Sequence, residues 1–105
     1  MSTKAEKQWM ADVADLGCVV CRNLGYGPTE AEVHHIKTGC GMGQRSSNLL
    51  TMPLCPQHHR LGGDGIAFHA NSRLWQERFG SEIALLQQTI KDVEQFRESI
   101  IGRAV

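Results

Sequence analysis

Two pairs of metal-ligating residue types constrain the fold of this chain more than any other feature. Cys18 and Cys21 form the first pair, Cys55 and His58 form the second, and residues 22–54 separate them. A two-residue spacer lets both side chains of a pair turn towards one point, and four sulfur and nitrogen ligands complete the tetrahedral site of structural zinc. We therefore expect the two segments to meet around one zinc ion.

Alternatives to this ligand set remain open. The cysteines could be buried thiols unrelated to the histidines. Cys40, which lies between two glycines, could replace His58 as the fourth ligand, join a second metal site or remain a free thiol. The two pairs are further apart than the roughly 15–20 residues typical of a plain zinc ribbon. The intervening segment is therefore expected to contain something besides the zinc site.

Length and charge narrow the class of protein. A chain of 105 residues favours one domain, 1–105. Its 11 basic and 11 acidic residues give a formal net charge of zero, so overall charge does not indicate a nucleic-acid partner, although a local basic groove could exist. The sequence shows no signal peptide and no membrane span. We expect a cytoplasmic protein, in which cysteines are more often metal ligands or thiols than disulfides.

Hydrophobic periodicity and chain-breaking residues predict an α+β fold. Helices are expected over residues 4–16, from Pro56 onwards, and in a C-terminal helical part over about 72–101. Within this C-terminal part, Ser72 would cap one helix and Ser81 would begin the next. Strands are expected over 32–36 and 49–54, joined by a long glycine-rich loop. An apolar stripe on the last helix is expected to form core against the N-terminal helix; it comprises Ile83, Leu86, Ile90, Val93, Phe96 and Ile100.

Four of the five histidines form two adjacent doublets, His34-His35 and His58-His59. Neighbouring side chains leave the backbone in different directions, so the two members of a doublet are suited to different tasks. One imidazole can bind a metal ion while the other accepts a proton, because an unperturbed imidazole has a pKa near 6.5. This pattern indicates a metal-dependent enzyme built around a structural zinc.

The order His34-His35, Asn48 and His59 across two strands and a following helix resembles the HNH endonucleases, also called ββα-metal or His-Me finger nucleases. The resemblance covers about residues 18–70, and many HNH domains share the framing cysteine pairs. The chain also resembles the phage and prophage group of recombination-enhancement RecA-dependent nucleases. That resemblance rests on Cys-x2-Cys-Arg, Val-His-His-Ile, Pro-Leu-Cys-x2-His-His-Arg, Phe68-His69 and Trp75-x3-Phe79-Gly80.

The resemblance implies roles for individual residues. His35 would be the general base, and Asn48 would orient it. His34 and His59 would hold a catalytic divalent ion, Mg²⁺ or another, which stabilises the phosphoryl transition state and the departing oxygen. Many HNH proteins have Asp where this chain has His34, which leaves the metal preference open. His69 either completes the metal shell or is a polar residue at a helix entrance.

The implied function is a metal-dependent DNA endonuclease of low sequence specificity, with DNA and a RecA-type recombinase filament as partners. Lys37, Arg45 and Arg60 are candidate phosphate contacts, although each could be an ordinary surface charge. One alternative is a non-catalytic zinc module that binds nucleic acid or protein. Another is a small regulatory protein whose C-terminal helix pairs with a second copy.

Overall fold

The computed structural model describes residues 2–39 and 47–104. In chain order these residues form α1 (Lys4–Asp15), α2 (Val19–Asn23), β1 (Glu32–His35), β2 (Thr51–Leu54), a π-helix (Gln57–Leu61), α3 (Ser72–Phe79) and α4 (Glu82–Ala104). The two strands form an antiparallel sheet. The α+β class expected from the sequence is confirmed. Among the described residues, no helix combines the length and apolar character that a membrane span requires.

A capping box starts α1. The Thr3 hydroxyl accepts a hydrogen bond from the Glu6 amide at 3.1 Å, and the Glu6 carboxylate accepts one from the Thr3 amide at 2.9 Å. These bonds satisfy two backbone donors that the helix itself leaves without partners. Gly17 follows the helix with a φ of +81°, and a Cβ there would lie 2.8 Å from Pro28. Only glycine therefore allows the sharp turn that leads into Cys18.

The first cysteine pair lies at the start of a short helix, α2, which the sequence analysis did not predict. Cys18 caps this helix, and its Sγ accepts a hydrogen bond from the Cys21 amide at 3.5 Å. Val19 and Val20 are buried. Their burial stabilises a helical turn that local propensity alone does not predict, and it places both cysteines in the core.

Both strands are shorter than the sequence predicted. His34 lies opposite Met52, and His35 lies opposite Thr51. One further backbone bond, from the Ile36 amide to the Leu50 carbonyl at 3.2 Å, extends the pairing beyond β1. Leu49 and Leu50, expected in the second strand, precede β2 and are exposed. All four residues of β2 are buried, and this strand packs against α1, α2 and α4.

The helix predicted from Pro56 is a short π-helix. Pro56 is its N-cap, and the Gly62 amide donates to the carbonyl of Gln57, five residues earlier, at 3.0 Å. A Cβ at Gly62 would lie 2.3 Å from the Ile66 side chain and 2.6 Å from the Gln57 carbonyl oxygen. The chain can therefore fold back on this helix only because residue 62 is glycine.

The start of α3 differs by one residue from the prediction. Asn71, and not Ser72, caps the helix, because the Asn71 side chain accepts a hydrogen bond from the Leu74 amide at 3.1 Å. Ser72 is the first helical residue and is exposed. Trp75 is fully buried, and its indole N–H donates to the His58 carbonyl at 3.0 Å. This bond ties α3 to the π-helix.

The apolar stripe predicted on the last helix forms only part of the core. Leu86 and Val93 are buried, whereas Ile83 and Ile100 are 38% and 51% exposed. α4 also contacts α1 as predicted. Over residues 82–100 of α4, where burial is described, the buried positions are Glu82, Leu85, Leu86, Thr89 and Val93. The prediction was wrong about Ile83 because it considered apolar residues alone. The buried position next to it is occupied by the carboxylate of Glu82.

Candidate metal centres and active site

The first candidate metal centre is a cluster of Cys18, Cys21, Cys55 and His58, whose ligand atoms lie within 4.8 Å of one another. The Sγ atoms of Cys21 and Cys55 are 3.8 Å apart, and Nδ1 of His58 lies 3.2, 3.5 and 3.8 Å from Sγ of Cys55, Cys21 and Cys18. In a tetrahedral zinc site with Zn–S bonds of about 2.3 Å and a Zn–N bond of about 2.0 Å, neighbouring ligand atoms are about 3.5–3.8 Å apart. The cluster could hold a metal ion, and its geometry is consistent with structural zinc.

The electrostatics of this cluster also suit a cation. Burial raises the pKa of the Cys18 thiol to about 12, and backbone hydrogen bonds from Cys55 and Cys21 offset only part of that effect. Burial and the nearby Arg78 charge lower the pKa of His58, so its imidazole is neutral at neutral pH. A buried thiol becomes a thiolate when a metal ion compensates its charge, and a neutral imidazole has a lone pair for the same ion.

The four described ligands are sufficient for a four-coordinate site. Among the described residues, His58 is the fourth member of the group that could hold a metal ion. Cys40 lies outside the described residues, and so does Arg45.

The second candidate metal centre is a group of three imidazoles, His34, His59 and His69, whose ligand atoms also lie within 4.8 Å of one another. The π-helix ends at Leu61, so the carbonyls of His58 and His59 accept hydrogen bonds from a later segment. The Phe68 amide donates to the first at 2.9 Å, and the His69 amide donates to the second at 3.1 Å. This pairing brings His69 to the group, where sequence reasoning could not place it.

A buried carboxylate on α4 orients His34. Oε2 of Glu82 lies 2.7 Å from Nε2 of His34, and the two side chains are 0% and 1% exposed. Burial lowers the pKa of His34, and the contact with Glu82 opposes this effect without overcoming it. A neutral imidazole has one N–H, which donates to Glu82 here. Nδ1 of His34 is buried and has no hydrogen-bond partner among the described residues, so its lone pair fits a metal ion.

Glu82 is a site residue that the sequence analysis missed. Burial alone would raise the pKa of Glu82, but hydrogen bonds from His34, Thr38 and Lys37 outweigh it and lower the pKa to about 2. An acidic residue in the first turn of a helix is common, because the helix dipole favours it there. That ordinary explanation gave no signal in the sequence that this carboxylate would be buried next to a histidine.

A second carboxylate orients His59 in the same way. Oε1 of Glu32 lies 2.8 Å from Nδ1 of His59. Nη2 of Arg60 donates to Oε2 of Glu32 at 2.6 Å, and the hydrogen bonds from Arg60 and then His59 lower the pKa of Glu32 to about 2. His59 thus donates from Nδ1, and its Nε2 lies 3.1 Å from Nε2 of His69. A metal-binding histidine usually donates its other N–H to a carboxylate or carbonyl.

The side chain of His35 has a different hydrogen-bond partner from that of His34 and points to the other face of β1. Successive residues of a strand point to opposite faces, and Nε2 of His35 lies 2.8 Å from Oδ1 of Asn48. Asn48 lies in the turn before β2. Its amide nitrogen donates to the Ser2 hydroxyl at 2.9 Å and to the Glu6 carboxylate at 3.4 Å. The amide oxygen therefore faces His35, which donates from Nε2 and keeps a lone pair on Nδ1.

The two described candidate phosphate contacts differ in their surroundings. The Arg60 guanidinium is paired with Glu32. The Lys37 side chain is exposed. Burial is the main cause that lowers the pKa of His69, and the positive charge of Lys37 adds to it, as it does for His34. Lys37 is thus an exposed cation close enough to His34 and His69 to contribute to their lowered pKa values.

These features describe a small α+β protein with a Cys₃His cluster and a three-histidine group, next to a fourth histidine held by Asn48. The family model for recombination enhancement, RecA-dependent nuclease matches residues 2–94, and the chain belongs to this family. The family name implies nuclease activity and a role with RecA in recombination. This match confirms the resemblance to recombination-enhancement RecA-dependent nucleases that was drawn from the motifs. A comparison with curated proteins found no match.

Proposed function

We propose that this protein is a metal-dependent DNA endonuclease of the HNH type. The observation that carries the proposal is the division of the His34-His35 doublet. His34 joins two other imidazoles in a group that could hold a metal ion, whereas His35 is held by Asn48 with one nitrogen left as an acceptor. Phosphodiester hydrolysis requires both a general base and charge stabilisation.

The three-histidine group would hold the catalytic divalent ion. Nδ1 of His34, which has no hydrogen-bond partner in the described part of the chain, fits such a ligand role, and so do the carboxylate partners of His34 and His59. A divalent ion bound there would supply Lewis-acid stabilisation of the phosphoryl and leaving oxygens. Mg²⁺ prefers oxygen ligands, whereas imidazole nitrogen suits first-row transition ions. We therefore propose that the site uses Mg²⁺ less effectively than an ion such as Mn²⁺.

Nδ1 of His35 would accept a proton from the attacking water. The hydrogen bond from Nε2–H to Asn48 fixes the ring orientation and the tautomer. Asn48 is in turn held by Ser2 and Glu6, so its oxygen cannot exchange places with its nitrogen without losing those bonds. Asn48 is therefore proposed to orient the base, as the family resemblance implied.

The Cys₃His cluster would hold structural zinc. Cys55 and His58 lie on either side of the start of the π-helix, and His59 is the next residue on that helix. A zinc ion at the cluster would fix the π-helix relative to α2 and so position His59. The order of β1, β2 and the π-helix supports the proposed ββα-metal architecture within a single domain over 1–105.

DNA is the proposed substrate, with little sequence preference, and a RecA-type filament is the proposed partner suggested by the family name. Lys37 is the proposed phosphate contact among the described residues, since Arg60 is paired with Glu32. We propose a cytoplasmic location, where chromosomal DNA and a bacterial recombinase are found.

A plasmid-cleavage assay tests this proposal. Wild type, His35→Ala and the exposed control Lys91→Ala are compared with Mg²⁺ or Mn²⁺, each with and without a RecA-type filament. Wild type and the control should cut, and His35→Ala should lose about 10²–10⁴-fold in rate, the range that a general base contributes. Inactivity of all three under every condition would contradict a nuclease and favour the non-catalytic zinc module. Equal activity of all three would remove His35 from the role of base.

A further inference from the structure

The buried carboxylate of Glu82 has more partners than the orientation of one histidine requires. Its Oε2 lies 2.7 Å from Nε2 of His34 and accepts from the Lys37 amide at 2.8 Å. Its Oε1 accepts from the Thr38 amide at 2.7 Å and from the Thr38 hydroxyl at 2.6 Å. The side chain is 0% exposed. The carboxylate thus has four hydrogen-bond donors. One is on His34, which precedes His35 in the sequence, and three are on Lys37 and Thr38, which follow it.

We infer that Glu82 is a positioning residue of the candidate active site. It determines which nitrogen His34 offers to the metal ion, and it fixes the backbone on both sides of His35. This inference rests on the proposed function, because it assigns a role within the same site.

The choice of nitrogen follows from hydrogen-bond chemistry. An ionised carboxylate can only accept, so the ring nitrogen that faces Glu82 must have the hydrogen. A metal ligand must offer a lone pair. With Nε2–H directed to Glu82, the lone pair of His34 is on Nδ1, the nitrogen that has no hydrogen-bond partner among the described residues. A group that could donate to Nε2 would allow the opposite tautomer and remove that lone pair.

The second part of the inference concerns the backbone. His34 is held on one side of His35, and the amides of Lys37 and Thr38 are held on the other. The backbone amide of Glu82 donates to the Gln76 side chain at 2.9 Å, so the start of α4 that holds the carboxylate is tied to α3. A catalytic group needs such support, because small displacements from the productive geometry reduce the rate.

Support of the backbone accounts for only part of this arrangement. Burial of an ionised carboxylate costs free energy unless its partners compensate for the loss of water. The amides of Lys37 and Thr38 are such partners, and an apolar side chain here would leave them without this acceptor. A further partner is His34, a histidine of a candidate metal centre. The same buried charge thus supports the backbone and orients that histidine.

Glu82→Gln tests the inference while preserving side-chain size. A glutamine amide has one acceptor oxygen and one donor nitrogen, so it cannot accept from all four donors. Mn²⁺ binding to the zinc-loaded protein is measured by titration calorimetry, and plasmid cleavage is measured against Mn²⁺ concentration. We expect Mn²⁺ affinity about 10–100-fold below wild type, zinc content unchanged, and cleavage partly restored at high Mn²⁺. The matched control Glu94→Gln, an exposed change on the same helix, should behave like wild type.

The outcomes separate this inference from the proposed function. If wild type neither binds Mn²⁺ at the three-histidine group nor cuts DNA, the proposed function fails. If wild type binds and cuts, and Glu82→Gln has the same Mn²⁺ affinity, the positioning role is overturned and the proposed function stands.

A measurement on wild type keeps the inference testable if Glu82→Gln fails to fold. Nitrogen-15 NMR of the histidine rings distinguishes the two neutral tautomers. His34 should have its hydrogen on Nε2 in the zinc-loaded protein, and added Cd²⁺ should shift the Nδ1 resonance. A hydrogen on Nδ1, or a Cd²⁺ shift at Nε2, would overturn the assignment.

Discussion

His58 and His59 are neighbours in the sequence, yet their side chains reach two different candidate metal centres. Nδ1 of His58 lies 3.2 Å from Sγ of Cys55, whereas Nε2 of His59 lies 3.1 Å from Nε2 of His69. The π-helix is the element they share. Any change that weakens metal binding by the Cys₃His cluster should therefore also disturb the three-histidine group, because His59 directly follows His58 on this helix.

Replacement of a cluster cysteine is the first test of this link. Cys18→Ser should lose the bound zinc, measured by metal analysis, and cleavage should fall with it. Even a loss of about 2 kcal/mol would lower the Tm of a domain this small by about 8–16 °C, and zinc sites often contribute more. Cys40→Ser is the matched control and should keep about one zinc per chain. Loss of zinc from Cys40→Ser would instead make Cys40 the fourth ligand.

Asn48→Ala should lower the cleavage rate without loss of zinc or of the fold. The substitution removes the acceptor that fixes the His35 tautomer, and a misplaced catalytic group can reduce the rate by about 10²-fold. The readout is single-turnover nicking at saturating Mn²⁺, with Asn23→Ala as an asparagine control on α2. An Asn48→Ala rate equal to wild type would show that Asn48 does not orient the base.

Lys37 and Arg60 should respond differently to substitution. Lys37→Ala should weaken DNA binding for all sequences and reduce the slope of log affinity against log salt by about 1, as expected for one lost phosphate contact. Arg60→Ala removes a partner of Glu32, so its main effect should be weaker Mn²⁺ binding through His59. Fluorescence anisotropy across a salt series gives the first quantity, and calorimetry gives the second. Identical salt slopes for Lys37→Ala and wild type would contradict the assigned contact.

Trp75→Phe should lower the free energy of unfolding by about 1–3 kcal/mol. It removes the indole N–H that donates to the His58 carbonyl at 3.0 Å and leaves a small space in the core. The carbonyl retains its bond from the Phe68 amide, so the loss should be moderate. Urea denaturation measures it. Tyr26→Phe, at a side chain 70% exposed, should change stability by less than about 0.5 kcal/mol, and an equal effect of both changes would refute the argument.

The pH dependence of stability should contain a contribution from Glu32. Its pKa is lowered from 4.5 to about 2, first by Arg60 and then by His59. A lowered carboxyl pKa stabilises the fold above the unfolded-state pKa, and this contribution is lost as the pH falls from 4.5 to about 2. Urea denaturation across this range should show a shallower decline for Glu32→Gln than for wild type. Glu77→Gln, an exposed change on α3, should follow wild type, and parallel curves for all three would contradict the shift.

Local chemistry in the sequence determined the two candidate ligand pairs, the histidine doublets and the order of the helices and strands apart from α2. The two-residue spacer between Cys18 and Cys21 lets both sulfurs turn towards one ion. The alternation of side chains along a strand places His34 and His35 on opposite faces. Apolar periodicity gave the long helix α4 but misjudged its buried face at Ile83. These patterns depend on a few neighbouring residues, and so they can be recognised without the fold.

The tertiary structure alone decided which side chains control the histidines. Glu82 meets His34 across 47 intervening residues, and Glu32 meets His59 across 26. His69 joins the group through backbone hydrogen bonds to a helix ten residues earlier. The carboxylate partner of His34, its tautomer and the lack of a partner for its Nδ1 among the described residues all depend on contacts between remote segments. Only the packing of α4 and the π-helix around the sheet establishes those contacts.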